Sequence, residues 1–194
     1  KVPDYDYDCL LLTGGPDSPA RHKTENLLFA HAFKQEVPII GICHGAFVIN
    51  DLCGGKHGKV QGHIDCDVEV TMYGKKHKVR CYHQQCIKQL GKNMTAIAHD
   101  KEGNIEAFKH DEHPIYGVVW HPERMETPVL PDEIKKVIEF TKITNKLKYD
   151  KFDYSKYLSF SEIKERKWRA DPKDGLRPLK AIRNKKDFLT KYSR

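Results

Sequence analysis

No stretch of this 194-residue chain approaches the ~18 consecutive apolar residues that a membrane span requires. No secretory leader is expected either, because the first residues, KVPDYDYD, are acidic where a leader is positively charged. There is no internal repeat and no strict low-complexity segment. Without a leader, the six cysteines at 9, 43, 53, 66, 81 and 86 are expected to be reduced thiols in a cytoplasmic protein rather than a disulfide framework. What is present is an ordinary globular composition, 39% hydrophobic and 31% charged, long enough to bury a core. The first residue is Lys, so a longer natural start is expected.

The net charge of +7 invites a nucleic-acid reading, but its distribution argues otherwise. Residues 146–194 hold 16 Lys/Arg and 7 Asp/Glu, whereas residues 1–145 hold 18 and 20. The basic excess therefore belongs to a C-terminal extension rich in aromatics (Tyr149, Phe152, Tyr154, Tyr157, Phe160, Trp168). The expected organisation is a domain at 1–147 followed by this extension at 148–194.

The N-terminal half reads as alternating strand and helix. Cys9–Leu12 is a short apolar run broken by Thr13-Gly14-Gly15-Pro16-Asp17. A helix is expected over 24–34, with Thr24 as cap and Glu25 in its first turn. The continuous apolar run 37–42 suits a parallel strand covered on both faces, and 44–53 suits a helix ended by Gly54-Gly55. Hairpin strands are expected around Gly74 and around Lys101–Gly103, an apolar strand over 115–120, and a helix over 131–147.

Three places carry chemistry. In Gly41-Ile42-Cys43-His44-Gly45 a buried strand hands over to a helix, with glycines flanking a cysteine. Such a turn exposes the side chain, and the helix N-terminus is expected to lower the thiol pKa. In His121-Pro122-Glu123 a base and a carboxylate stand two residues apart at a strand end, where extended backbone puts them on one side. Gly14-Gly15, after the first strand, can offer backbone N–H groups to an oxyanion, and so can the amide of His44.

The stretches LLLTGGPD (10–17), PIIGICHGAFVINDLCGG (38–55), VRCYHQQCIKQLG (79–91), NIEAFKH (104–110) and YGVVWHPE (116–123) together resemble the class I glutamine amidotransferase superfamily. They come closest to its free-standing γ-glutamyl hydrolase branch, the C26-type peptidases. The resemblance implies a flavodoxin-like α/β fold with a central, mostly parallel sheet, helices on both faces and small antiparallel additions. It implies Cys43 as nucleophile, His121 as base and Glu123 as its orienting partner. Gly15 and His44 would form the oxyanion hole, and Gly14, Phe47, His83 and Gln85 would line the substrate site. No metal or cofactor is implied. The family usually begins with a strand–helix unit ahead of the Gly-Gly turn, and this unit is expected to be missing here.

The sequence departs from the pattern at the substrate. Glutamine-using members usually carry Gln four residues after the nucleophile, where this chain has Phe47, and the Ser of the later motif is Cys81. A γ-glutamyl conjugate larger than glutamine is therefore expected. Alternatives are a glutaminase serving a separate synthetase, docked or self-associated through 148–194, and an idle scaffold that binds a partner or nucleic acid through that extension. A zinc site finds little support. Cys81 and His83 share a strand face, Cys86 has the opposite parity, and His57, His63 and Cys66 lack finger spacing.

Overall fold

The run Ile39–Ile42 forms a strand with apolar residues on both faces, as a continuous apolar pattern requires. Around it, a computed structural model describes residues 7–150, with side chains described through 142. The elements are β1 (Leu10–Leu12), α1 (Pro19–Lys34), β2 (Ile39–Ile42), α2 (His44–Leu52), β3 (Lys56–Lys59), β4 (Cys66–Met72), β5 (Lys75–Cys81), β6 (Gln85–Gln89), β7 (Met94–Asp100), β8 (Ile105–His110), β9 (Ile115–Val118) and α3 (Asp132–Asp150). Beyond Asp150, the extension expected at 148–194 lies outside the described residues, as do all of its interactions.

The strand order is β1-β2-β9-β8-β7-β4-β5, with β6 pairing β3 and β8. β1, β2 and β9 run parallel. The other six pairings among the described residues are antiparallel. The sheet is thus mixed: the three parallel strands carry the α/β unit, and the antiparallel part is larger than the small additions expected from the sequence. β3 and β6 were not legible in the sequence, because Lys56–Lys59 offers no apolar alternation.

Successive residues of β2 serve opposite faces. Ile39 packs with Phe29 and Ala32 of α1 and with Ala46, Phe47 and Ile49 of α2. Ile40 packs on the other side with Val118, Trp120 and Ile134 of α3. Helices therefore cover both faces, and each fully buried Ile contributes roughly 1.5–3 kcal/mol. Tyr73, in the β4–β5 turn, donates its hydroxyl to Glu133 of α3. Trp120 donates Nε1–H to the Val129 carbonyl at 2.9 Å and thereby ties down the loop that leads to α3. No helix among the described residues is long and apolar enough to cross a membrane.

α1 begins five residues before the expected start. Ser18 caps it by accepting from the Arg21 N–H at 3.2 Å, and Pro19 occupies the first turn. Thr24 instead donates to the Ala20 carbonyl within the helix, and Glu25 lies mid-helix and buried.

The tightest approach in the fold joins β1, β2 and α2. A Cβ on Gly41 would stand 2.6 Å from the Gly45 carbonyl carbon, and a Cβ on Gly45 would run into the Leu12 carbonyl oxygen. Only hydrogen fits at either position. Gly45→Ala is expected to lower stability by about 3 kcal/mol through overpacking, read as the midpoint shift in urea unfolding. An unchanged midpoint would contradict this close approach.

Candidate active site

β2 and β9 are parallel neighbours in the register Ile42↔Val118. The residues that follow them therefore emerge side by side at the same sheet edge, where open α/β sheets bind ligands. Cys43 follows β2 at φ 49°, ψ −108°, left-handed backbone that a cysteine seldom adopts. Its N–H donates to the Val118 carbonyl at 2.8 Å, which pins the turn to β9. His121 follows β9, is 3% exposed, and donates its N–H to the Arg80 carbonyl at 2.8 Å. Gly14 fits between the two side chains: a Cβ there would lie 2.7 Å from His121 Cε1 and 3.5 Å from Cys43 Cβ.

His121 Nδ1 stands 2.6 Å from Glu123 Oε1. A carboxylate accepts, so Nδ1 carries a hydrogen, and in the neutral ring the lone pair is then on Nε2. The backbone that makes this pair is not the extended one expected: Pro122–Arg124 is a 3-10 turn, favoured by Pro at its first position. The turn still returns the carboxylate to the imidazole. Arg124 lies 3.9 Å from the same Glu123 oxygen and rests on the Tyr82 ring.

The Cys43 thiol contradicts one expectation. Burial pushes its pKa up, and the His44 N–H aimed at it only partly offsets that; Glu123 and Glu106 add to the rise and Arg124 opposes it. The helix N-terminus therefore does not produce a low resting pKa here. The thiol rests protonated, with Tyr82 O 4.0 Å from Sγ.

Two residues whose part in the site was not read from the sequence, Arg21 and Glu25, organise the Gly-rich turn. Arg21 donates to the Thr13 carbonyl at 2.5 Å, the Pro16 carbonyl at 3.2 Å and the Gly14 carbonyl at 3.4 Å. Its Nε also donates to Glu25 Oε1 at 2.8 Å, and Glu25 Oε2 meets His44 Nε2 at 2.9 Å. One buried carboxylate thus connects the 13–16 turn to the first residue of α2. The i, i+4 spacing of Arg21 and Glu25 was the available signal.

The residues expected to hold substrate are distributed unevenly. Phe47 and His83 are buried and 6.2 Å apart between ring centroids, while Gln85 is exposed at the start of β6. Burial pushes the His83 pKa down to about 4, so it is neutral at neutral pH. Cys81 is fully buried at the end of β5. Cys86 turns away, donating to the Lys59 carbonyl at 3.4 Å. His63 and Glu106 were not paired with Cys81 and His83 in the sequence, yet the fold brings all four together within 4.8 Å.

The family model for glutamine amidotransferase class-I matches residues 1–139. The chain belongs to the class-I glutamine amidotransferases. Among relatives, it is 29% identical over 124 residues to gamma-glutamyl-CDP-amidate hydrolase of Campylobacter jejuni, covering 59% of this chain and 62% of the relative. It is 33% identical over 123 residues to a glutamine-hydrolyzing GMP synthase subunit of Pyrococcus abyssi, covering 59% and 65%. Among solved structures, a GMP synthase subunit from Thermoplasma acidophilum superposes with a TM-score of 0.60 at 22% identity, over 73% of this chain and 76% of the other. A glutamine amidotransferase from Thermotoga maritima does so with 0.56 at 20% identity, over 78% and 68%. These two show the fold alone. The chain spans about two thirds of the length of the curated relatives it matches.

Because the folded pKa of Cys43 is raised, its thiolate fraction at neutral pH is below that of an ordinary thiol, and half-ionisation comes above the ordinary value of 9.0. The iodoacetamide modification rate at Cys43, followed by peptide mass spectrometry, is expected to climb through the alkaline range without levelling off below pH 9. A plateau already reached at pH 7 would refute the burial argument.

Proposed function

We propose that this class-I glutamine amidotransferase domain is a cysteine-dependent hydrolase of γ-glutamyl amide bonds. The observation that carries the reading is the alignment at one sheet edge. Cys43 in its strained turn stands beside His121, whose Nδ1 is held by Glu123 and whose Nε2 keeps its lone pair. Cys43 Sγ attacks the γ-carbonyl carbon as its proton passes to His121 Nε2. Proton transfer in the attack itself suits a thiol that rests protonated. The oxyanion takes hydrogen bonds from the backbone N–H groups of Gly15 and His44, which the Arg21–Glu25–His44 chain holds in mutual register. Collapse breaks the C–N bond, and the departing amine takes the proton from His121. Water, deprotonated by His121, then hydrolyses the γ-glutamyl thioester and releases glutamate and free Cys43. Glu123 keeps the imidazole in the required tautomer throughout.

Gly14, Phe47, His83 and Gln85 remain the proposed substrate surroundings, with Phe47 and His83 forming buried walls. Beside Glu123 lies an open groove of about 450 Å³, lined by Asp67, Lys78, Arg80, Arg124, Met125, Glu126 and Thr127. None of Cys43, His121 or Glu123 lines it; Phe47, standing where glutamine-using members carry Gln, is what favours a γ-glutamyl conjugate as the substrate class. The similarity to glutamine-hydrolyzing GMP synthase subunits favours a second reading, a glutaminase that supplies ammonia to a separate synthetase.

A diazo-ketone glutamine analogue is expected to label Cys43, and a panel of γ-glutamyl amides is expected to yield glutamate. Cys43→Ala should abolish both, and Glu123→Gln should slow turnover by about 10²-fold. A folded chain that is neither labelled nor releases glutamate from any amide would overturn the reading. Release from glutamine alone, and only with a synthetase added, would select the second one.

A further inference from the structure

Behind the Cys43 turn lies a second cluster, of which only His83 figures in the function proposed above, as a wall of the proposed substrate site. Cys81 ends β5, His83 follows it, Glu106 stands on β8, and His63 comes from the loop between β3 and β4. All four are buried, Cys81 and Glu106 completely. The His83 N–H donates to the His63 carbonyl at 2.8 Å, which fixes the loop against the strand end. One donor atom from each of the four side chains lies within 4.8 Å of the others.

The hydrogen-bond directions show what the cluster is built to receive. His83 Nδ1 is 2.7 Å from the Gln85 carbonyl, which can only accept, so Nδ1 carries the hydrogen and Nε2 is bare. That bare Nε2 faces Glu106 Oε2 at 3.7 Å, acceptor against acceptor. His63 Nε2 faces Asp100 Oδ2 at 3.4 Å and its Nδ1 faces Glu106 Oε1 at 3.4 Å. Asp100 is itself held by Asn104 Nδ2 at 2.7 Å and the Asn104 N–H at 2.8 Å. Neither Glu106 oxygen, nor His63 Nδ1, nor His83 Nε2 has a hydrogen-bond partner among the described residues. Leaving such groups buried and unmatched is costly. One proton can fill only one of these gaps, whereas one cation can take His63 Nδ1, His83 Nε2 and a Glu106 oxygen together, with Cys81 Sγ as its fourth donor.

We propose that His63, Cys81, His83 and Glu106 form a binding site for a divalent transition-metal ion of the zinc class. Two imidazoles, a thiolate and a carboxylate suit a borderline-soft tetrahedral ion and disfavour hard cations such as magnesium and calcium. Each histidine presents one nitrogen inward; the other is held by the Gln85 carbonyl in His83 and faces Asp100 Oδ2 at 3.4 Å in His63, an arrangement of the kind metal-bound histidines show. The charges close: the ion's two positive charges meet one thiolate and one carboxylate, with both imidazoles neutral. Binding removes the Cys81 proton to solvent, so at least one proton leaves per ion bound. Reaching zinc–ligand distances of about 2.0–2.3 Å needs side-chain shifts on the order of 1 Å. No step proposed for Cys43 requires the ion, although the site sits against the same turn and shares His83 with the proposed substrate surroundings.

The test uses the full chain, freed of metal by a chelator and titrated with Co²⁺ as a spectroscopic substitute, then with Zn²⁺. One equivalent of Co²⁺ should bind with intense tetrahedral d–d bands and a thiolate-to-cobalt charge-transfer band. Zn²⁺ should bleach both, and a weakly buffered solution should record the released proton. Cys81→Ser should abolish the charge-transfer band, while Cys43→Ala and Cys66→Ala retain it. Glu106→Gln should weaken Zn²⁺ binding at least tenfold and remove the rise in Tm that Zn²⁺ gives the parent chain, a readout that holds even where Cys81→Ser fails to fold. A folded parent chain without a charge-transfer band, a band that survives Cys81→Ser, or a Zn²⁺-dependent Tm unchanged by Glu106→Gln would each overturn the site.

Discussion

The closeness of β1, β2 and α2 governs the remainder of the molecule. Gly41 touches Gly45, and Gly45 touches the Leu12 carbonyl, so α2 must leave the end of β2 in a turn too sharp for ordinary backbone. Cys43 absorbs that demand at φ 49°. Local strain is tolerated because its surroundings over-determine it: the Cys43 N–H is bound to β9, and the Cys43 carbonyl accepts from the N–H groups of Ala46 and Phe47. The same turn brings the His44 N–H onto the thiol and directs Phe47 into the core.

Two buried carboxylates flank this turn and behave oppositely. Glu25 is saturated: Arg21 binds one oxygen and His44 the other. Its cost of burial is offset by charge-assisted hydrogen bonds, and the benefit is a Gly-rich turn held in place by the arginine's other donors. Glu106, on the far side, has no hydrogen-bonded partner on either oxygen among the described residues. Burial pushes its pKa up, and its residual charge is felt at Cys43. Whatever neutralises Glu106 therefore also changes the environment of Cys43, the proposed nucleophile.

The sequence made the candidate site more legible than the scaffold around it. Cys43 was readable because small residues and an apolar run surround it, and His121 with Glu123 because Pro122 punctuates a strand end. The α/β unit was readable from continuous apolar runs. What could not be read depends on contacts across the sheet. Glu25 gave no sign of facing His44 until α1 was seen to begin at Ser18-Pro19, whose cap outcompetes Thr24. His63 and Glu106 are distant in sequence and meet Cys81 only through the antiparallel strands. β3 was hidden because its pairing with β6 is sustained by backbone bonds, not by apolar alternation.

Pairing β2 with β9 also sets the order in which the working parts assemble during folding. Gly14, Gly15, Arg21, Glu25, Cys43 and His44 all lie in the first quarter of the chain, within one β–α–β–α unit of mostly local contacts. His121 joins them only after β9 has entered beside β2, across a loop that contains the whole antiparallel part of the sheet. Closing that long loop is the slow, non-local event. A nascent chain thus carries Cys43 long before His121, and the proposed base reaches the thiol's side of the sheet only when the third parallel strand docks.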